Sequence, residues 1–380
     1  MSWWDDADGP DDDEGPDESD VRVRPNPRGS RPRTKRRPAH AGATAGFVTA
    51  VNRGRYTVLL DADAGTRAGE DEPPGGKAAS DPPHAAGRTV NAARGSGLRR
   101  ERVVTGDFVD LVGDRTGAPG SLARIVRIHP RSSLLRRSAD DTDQVERIVV
   151  ANADQMLIVV AASRPRPRVR LVDRLLVAAY DAEIKPLLCV TKADEADPAP
   201  FLAQFRGLGL TTFASGLTSL PHAALTAALA GHRTVLIGHS GVGKSTLINR
   251  LVPGALRATG QVNAVTGRGR HTSSSSRALK VPSDPPGWVI DTPGVRSFGL
   301  GHVETAHVVA AFDEVAALAA LCPRGCRHTP ETTGCRLAAA LRDDTVPAAT
   351  RARIDSVLRL LAALGPPGDD GGATTRQPQP

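Results

Sequence analysis

Apolar positions change their period along this chain. Between Gly46 and about Arg131 they fall in five short runs, GFVTAVN, YTVLLD, RTVNAARG, VVTGDFVDLVG and SLARIVRIHP, bounded by Gly, Asp and Asn. Such runs predict strands, and five of them suit a small closed barrel of the OB type. Between the second and third runs, residues 62–87 are rich in Pro, Gly and Ala and predict a flexible loop inserted at a barrel end. From about Val149, strand-like runs (QMLIVVAA, KPLLCVTKAD, TTFAS, RTVLIGHS, GWVIDTPG) alternate with helical ones (VRLVDRLLVAAYDA, PHAALTAALA, KSTLINRLV). That alternation predicts a parallel sheet flanked by helices. From Glu304 to Leu364 the chain is rich in Ala and Leu and predicts helices, interrupted by a Cys/His cluster. The expected organisation is multidomain: a disordered charged tail over 1–44, a β-barrel over 45–135, an α/β domain over 145–302, a helical domain over 303–364 and a disordered tail over 365–380.

Composition narrows the partners. No apolar run approaches the ~18 residues that span a bilayer, and the N-terminus is acidic (Asp5, Asp6, Asp8), unlike a secretory signal. A cytoplasmic protein with no membrane contact is expected. Net charge is +7, but residues 1–20 hold ten acidic side chains and residues 21–40 hold eight basic ones. The tail is thus close to neutral, and the positive excess belongs to the folded body. Such a body fits a polyanion such as RNA. With aromatics at 3%, contact would rest on Arg and phosphate more than on base stacking. Only six Lys stand against 43 Arg, and two of them, Lys192 and Lys244, fall inside motifs that require a compact ammonium.

The strongest motif is Gly238-His239-Ser240-Gly241-Val242-Gly243-Lys244-Ser245, a full GxxxxGK[ST] between the apolar run TVLIG and the helix KSTLINRLV. In that context it predicts a phosphate-binding loop, with backbone N–H groups and the helix N-terminus facing the phosphates. Gly238, Ser240, Gly241, Val242, Gly243, Lys244, Ser245 and Thr246 are the expected contacts. Lys244 would reach the β- and γ-phosphates and the Ser245 hydroxyl would ligate Mg²⁺. Asp291-Thr292-Pro293-Gly294 ends the strand GWVI, where Asp291 is placed to hold Mg²⁺ through water and Gly294 to meet the γ-phosphate. Thr191-Lys192-Ala193-Asp194 resembles the guanine-reading NKxD element, because a carboxylate accepts from guanine N1–H and N2–H₂ and adenine offers no such pair. Ala214-Ser215-Gly216 would supply backbone N–H to guanine O6. Guanosine triphosphate (GTP, with GDP as product) is therefore the expected nucleotide.

Gly267-Arg268-Gly269-Arg270-His271-Thr272-Ser273-Ser274 lies between the two phosphate motifs, where a first switch loop belongs. Thr272 or Ser273 would place a hydroxyl on Mg²⁺. Val295 stands where many such enzymes carry a water-orienting Gln, which leaves His271 as the nearest candidate to position water. The catalytic set expected is His271, Lys244 and Thr272. Cys322, Cys326, His328 and Cys335 supply the ligand count and types of one structural tetrahedral Zn²⁺ site. Cys189 sits in an apolar run and reads as core.

The motif order is inverted, with guanine elements before the phosphate loop. That order, with the preceding barrel and the trailing Cys/Cys/His/Cys cluster, resembles the RsgA family of circularly permuted, ribosome small-subunit-dependent GTPases over roughly residues 45–365. The resemblance implies an OB-fold, a permuted GTPase domain and a helical zinc domain. It also implies a monomer that binds the 30S subunit and its 16S rRNA and hydrolyses GTP, stimulated by the subunit, late in subunit maturation. Three features depart from the family. The gap between Cys322 and Cys326 is one residue shorter than usual and that between His328 and Cys335 one longer; Thr191 replaces Asn, with loss of an amide tether expected; and the tail and barrel loop have no counterpart. An RNA-binding scaffold with nucleotide as a structural ligand is the competing reading, and a P-loop ATPase is disfavoured by Asp194.

Overall fold

Period-two burial builds the first layer. In the computed structural model, which describes residues 42–60, 87–98, 101–138, 146–253, 255, 276–292, 298–329 and 332–364, strand β2 (Arg55–Leu60) points Tyr56, Val58 and Leu60 inward. They meet Val90 and Ala92 of β3 (Thr89–Arg94), Val109 and Leu111 of β4 (Phe108–Gly113), Ala123 and Ile125 of β5 (Ala123–Ile128) and Val48 of β1 (Thr44–Asn52). Strands β1, β2 and β3 pair antiparallel, β3 pairs parallel with β5, β5 pairs with β4, and β4 returns to β1. The five strands thereby close a barrel with the connectivity of an OB-fold. The expected barrel loop and most of both tails lie outside the described residues.

A hairpin that the apolar pattern does not announce leads out of the barrel: β6 (Leu134–Arg137) paired with β7 (Arg147–Ala151). Its buried Leu135 and Val150 pack into the core of the second layer. That layer is a sheet in the order β10-β9-β8-β11-β13-β12, made of β8 (Gln155–Ala161), β9 (Lys185–Thr191), β10 (Thr211–Ser215), β11 (Arg233–Ile237), β12 (Arg277–Val281) and β13 (Gly287–Asp291). All seven residues of β8 are buried, as expected of a strand covered on both faces. Met156, Ile158 and Val160 face α1 (Val169–Asp181), whereas Leu157 and Val159 face α3 (His222–Leu229) and α4 (Lys244–Leu251). Helix α2 (Ala199–Ala203) follows β9.

The sheet is not wholly parallel. β12 runs antiparallel to β13 and also meets the barrel, where Ala50 pairs with Arg277. Its sequence, RALKV, carries two cations among five residues, with Ala278 and Val281 buried, so it gives no apolar run. Thr105 Oγ1 donates to Ser276 O at 3.1 Å, beside that pairing.

Helices α5 (Thr305–Ala310), α6 (Asp313–Ala319), α7 (Arg336–Ala340) and α8 (Ala348–Ala362) complete the chain. They have no core of their own. Val308, Phe312, Val315, Leu337, Ile354, Val357 and Leu360 share one apolar cluster with Val172, Leu175 and Leu176 of α1. Arg174 donates to Phe298 O at 2.7 Å and to Ala363 O at 2.8 Å, tying the segment after Asp291–Thr292 to the end of α8. Among the described residues, no helix is long and apolar enough to cross a membrane.

Arg359 of α8 donates to the buried Asp173 of α1 at 3.1 and 3.2 Å and lies 5.1 Å over the Phe205 ring. Burial raises the Asp173 pKa and the Arg359 charge opposes it. Replacing Arg359 with Leu should cost about 3 kcal/mol, the low end for breaking a buried pair, since Arg359 is partly exposed. With the cation gone, the Asp173 pKa rises further, so the loss is full above that raised value and shrinks as pH falls through it. Tm differences between variant and parent should be larger at pH 7.5 than at pH 4.5, and a pH-independent difference would exclude this account.

Candidate nucleotide site

The candidate residues collect where strands end. Thr191 closes β9, Ser215 closes β10, the loop Gly238–Gly243 follows β11, and Asp291 closes β13, all at the carboxyl edge of parallel strands. Crevices at that edge are where open α/β sheets bind ligands.

Gly238 is buried, and a Cβ there would lie 2.1 Å from Val159 O, so only glycine lets the loop leave β11 against β8. Gly241 and Gly243 have φ of +82° and +96°, and Gly243 caps α4. Val242 packs inward, while Ser240, Gly241, Ser245 and Thr246 are exposed around the loop and the first turn of α4. Lys244 is buried, and its Nζ donates to Gly238 O at 2.7 Å and His239 O at 3.2 Å, inside the loop. Burial lowers the Lys244 pKa and the nearby Asp291 carboxylate opposes this; burial raises the Asp291 pKa, opposed by Lys244. Two opposite charges thus influence one another beside the loop. Asp291 Oδ1 is buried with no hydrogen-bond partner, and Thr292 Oγ1 donates to Leu236 O at 2.7 Å, fixing the strand end. A carboxylate oxygen kept without a donor suits a cation and its water shell.

Thr191 departs from what its residue type promised. Its one hydroxyl proton is within reach of Val160 O at 3.1 Å and of Val242 O in the phosphate loop, so a hydroxyl tether stands where the amide of Asn is absent. Thr191 is buried and positions the loop instead of pointing outward. Lys192 has φ +57° and its Nζ bonds Arg164 O. Asp194 is exposed, with Oδ1 accepting Leu217 N at 2.9 Å. A Cβ on Gly216 would lie 2.9 Å from that oxygen, so the two loops approach closely there. Ser215 O accepts Ala193 N at 3.1 Å, and Gly216 N donates to Ser219 O at 3.1 Å. One contact went unread in the sequence: Arg250 in the last turn of α4 donates to Gly216 O at 2.9 Å, joining the phosphate helix to the guanine loops. Nothing marks it beforehand except a cation at a helix end.

His271, Thr272, Ser273, Gly294 and Val295 lie outside the described residues.

The cysteine cluster forms a second site. Sγ atoms of Cys326, Cys322 and Cys335 lie 3.5, 3.7 and 3.9 Å from His328 Nδ1, and the four ligand atoms lie within 4.8 Å of one another. Bonds of about 2.3 Å to sulfur and about 2.0 Å to nitrogen at a tetrahedral angle span about 3.5 Å, so this group can hold a metal ion. Backbone N–H groups of His328, Arg336 and Ala338 donate to Cys326, Cys322 and Cys335 Sγ at 3.4, 3.2 and 3.5 Å, the support that bound thiolates require. Burial lowers the His328 pKa, favouring the neutral, ligating imidazole. Cys189 stands apart, fully buried, its thiol pushed up to about 12 by burial and so unreactive.

Comparison with known proteins agrees with this geometry. The family model for RsgA GTPases matches residues 128–301. The small ribosomal subunit biogenesis GTPase RsgA of Pseudomonas aeruginosa is 39% identical over 270 residues, covering 69% of this chain and 76% of that protein. The protein of the same name from Azotobacter vinelandii is 38% identical over 273 residues, covering 70% and 76%. Among solved structures, YloQ, a circularly permuted GTPase, superposes with a TM-score of 0.54 at 19% identity over 87% of this chain and 97% of its own. YjeQ from Thermotoga maritima gives 0.57 at 21% identity over 85% and 98%. These two likenesses speak to the fold.

Proposed function

This chain belongs to the RsgA family of circularly permuted GTPases, and from that premise we propose that it binds the 30S subunit through 16S rRNA and hydrolyses GTP when the subunit stimulates it, late in small-subunit maturation. It is a GTPase of small ribosomal subunit biogenesis. We read it as a cytoplasmic monomer with a barrel over 45–135, a GTPase domain over 145–302 and a zinc-bearing helical domain over 303–364. The observation that carries the reading is the meeting of Lys244, Asp291 and the Thr191–Asp194 and Ser215–Gly216 loops at one edge of the sheet.

Asp194 reads guanine, its second carboxylate oxygen being free of the Leu217 contact that fixes the first. Lys192 lies along the base and the Ser215 loop supplies backbone N–H to guanine O6, a donor other than Gly216 N, which is bonded to Ser219 O. Backbone N–H groups from Gly238 to Ser245 and the Lys244 ammonium hold the phosphates and draw off charge that builds on the leaving oxygen. Ser245 and Thr272 would ligate Mg²⁺ and Asp291 would hold it through water; the ion would supply neutralisation of phosphate charge. Gly294 meets the γ-phosphate and His271 positions the attacking water, both assigned from their place in the sequence. Cys322, Cys326, His328 and Cys335 hold Zn²⁺, which serves the fold and not the reaction, since four protein ligands leave no open position.

Steady-state GTP hydrolysis with and without purified 30S subunits tests this. Subunits should raise the rate at least tenfold; equal rates would reject subunit stimulation. Asp194→Asn should weaken GTP by about 10- to 10²-fold, the worth of a hydrogen bond to a charged group, and favour xanthosine triphosphate, whose base presents a carbonyl where guanine has an amine. Unchanged base preference would remove Asp194 from its role.

A further inference from the structure

Between β8 and α1 the chain reads Ser163-Arg164-Pro165-Arg166-Pro167-Arg168. Arg164, Arg166 and Arg168 are exposed, and among the described residues their side chains make no ion pair or hydrogen bond. The rings of Pro165 and Pro167 fix their own φ and stiffen the backbone from which the three exposed arginines project. The strap is tied to the nucleotide site at several points. Ala162 N donates to Thr191 O at 2.8 Å, Ser163 Oγ bonds Glu195, and Arg164 O accepts Lys192 Nζ. Pro165 Cδ lies 4.0 Å from the point a Cβ on Gly241 would occupy, against the phosphate loop.

Three unpartnered guanidiniums within five residues are costly to keep in one place unless something uses them. Each is a planar fork that matches phosphate oxygens, and the strap itself contains no carboxylate. We propose that this strap is an RNA-docking element that grips backbone phosphates of the ribosomal subunit directly beside the nucleotide. The inference rests on the subunit-binding function above and adds where docking and nucleotide meet. A phosphodiester chain drawn onto Arg164–Arg168 bears on the Lys192 and Gly241 contacts, so the docked state is felt at both the guanine and phosphate ends of the site.

The test is equilibrium binding of the full chain to purified 30S subunits, with a non-hydrolysable GTP analogue, across 50–200 mM salt. Arg166→Gln/Arg168→Gln should lower the slope of log K against log salt by roughly 1.4–1.8, since each lost phosphate contact removes about 0.7–0.9. Arg166→Lys/Arg168→Lys should restore the slope, because the charge returns without altering the prolines. GTP affinity and hydrolysis without subunits should stay within twofold. A slope unchanged in the Gln variant overturns the proposal while leaving subunit binding intact. A shift in GTP affinity at constant slope also overturns it, assigning the strap to the nucleotide's own phosphates. If the parent chain fails to bind subunits at all, both this inference and the function beneath it fall.

Discussion

Lys244→Ala should lower kcat/KM for GTP by about 10²–10³-fold in the presence of 30S subunits, the usual loss when one transition-state donor is removed. The ammonium is buried, held by Gly238 O and His239 O, and is influenced by the Asp291 carboxylate. In such surroundings a charge acts on a developing phosphate charge with little screening. Removal has a second effect, because Asp291 then loses the cation that counters its burial. Its pKa should climb further. Lys244→Arg should do little better, as a planar fork does not fit between two loop carbonyls. Activity within tenfold of the parent for Lys244→Ala would show that the phosphates sit elsewhere.

The second large effect concerns the cysteine cluster. Cys335→Ser should reduce bound zinc from one per chain to nearly none, read by elemental analysis, and lower the Tm of the whole protein by about 8 °C. That figure takes a loss of about 4 kcal/mol for a metal site and about 2 °C per kcal/mol for a chain of this size. Cys335 is buried, and its Sγ also caps α7 by accepting Ala338 N, so metal and helix start are lost together. Leu337 and Ala338 on the next turn belong to the apolar cluster that contains Val172 and Leu175 of α1. Damage should therefore spread to the nucleotide sheet and appear as one lowered transition. A separate early transition, with the main Tm unmoved, would mean the zinc region folds alone.

Much of this was legible because the signals are dense. Five alternating runs sufficed for the barrel, and GxxxxGKS needed only a strand before it and a helix after it to place Lys244. What was not legible lacked a periodic apolar signature. β12 is hidden because Arg277 and Lys280 alternate with only two buried residues. The β6–β7 hairpin buries too little of each strand to stand out from its Arg-rich neighbours. The Thr191 hydroxyl tether is not legible because residue type alone says nothing of distance: a hydroxyl suffices when β8 and the phosphate loop both come within its reach. Arg250 and the strap arginines carry no periodicity, and their meaning depends on Gly216, Lys192 and Gly241, each remote in sequence from at least one partner.

The place of β12 has a mechanical consequence. Backbone pairing joins it to β13 on one side and, through Ala50 and Arg277, to the barrel on the other, while Thr105 pins Ser276 at its start. Barrel and nucleotide sheet are geared through a common strand, so the barrel cannot turn about that edge without shifting β12 against β13. Because β13 ends in Asp291, a displacement of the barrel is passed along β12 and β13 to the strand end that carries that carboxylate.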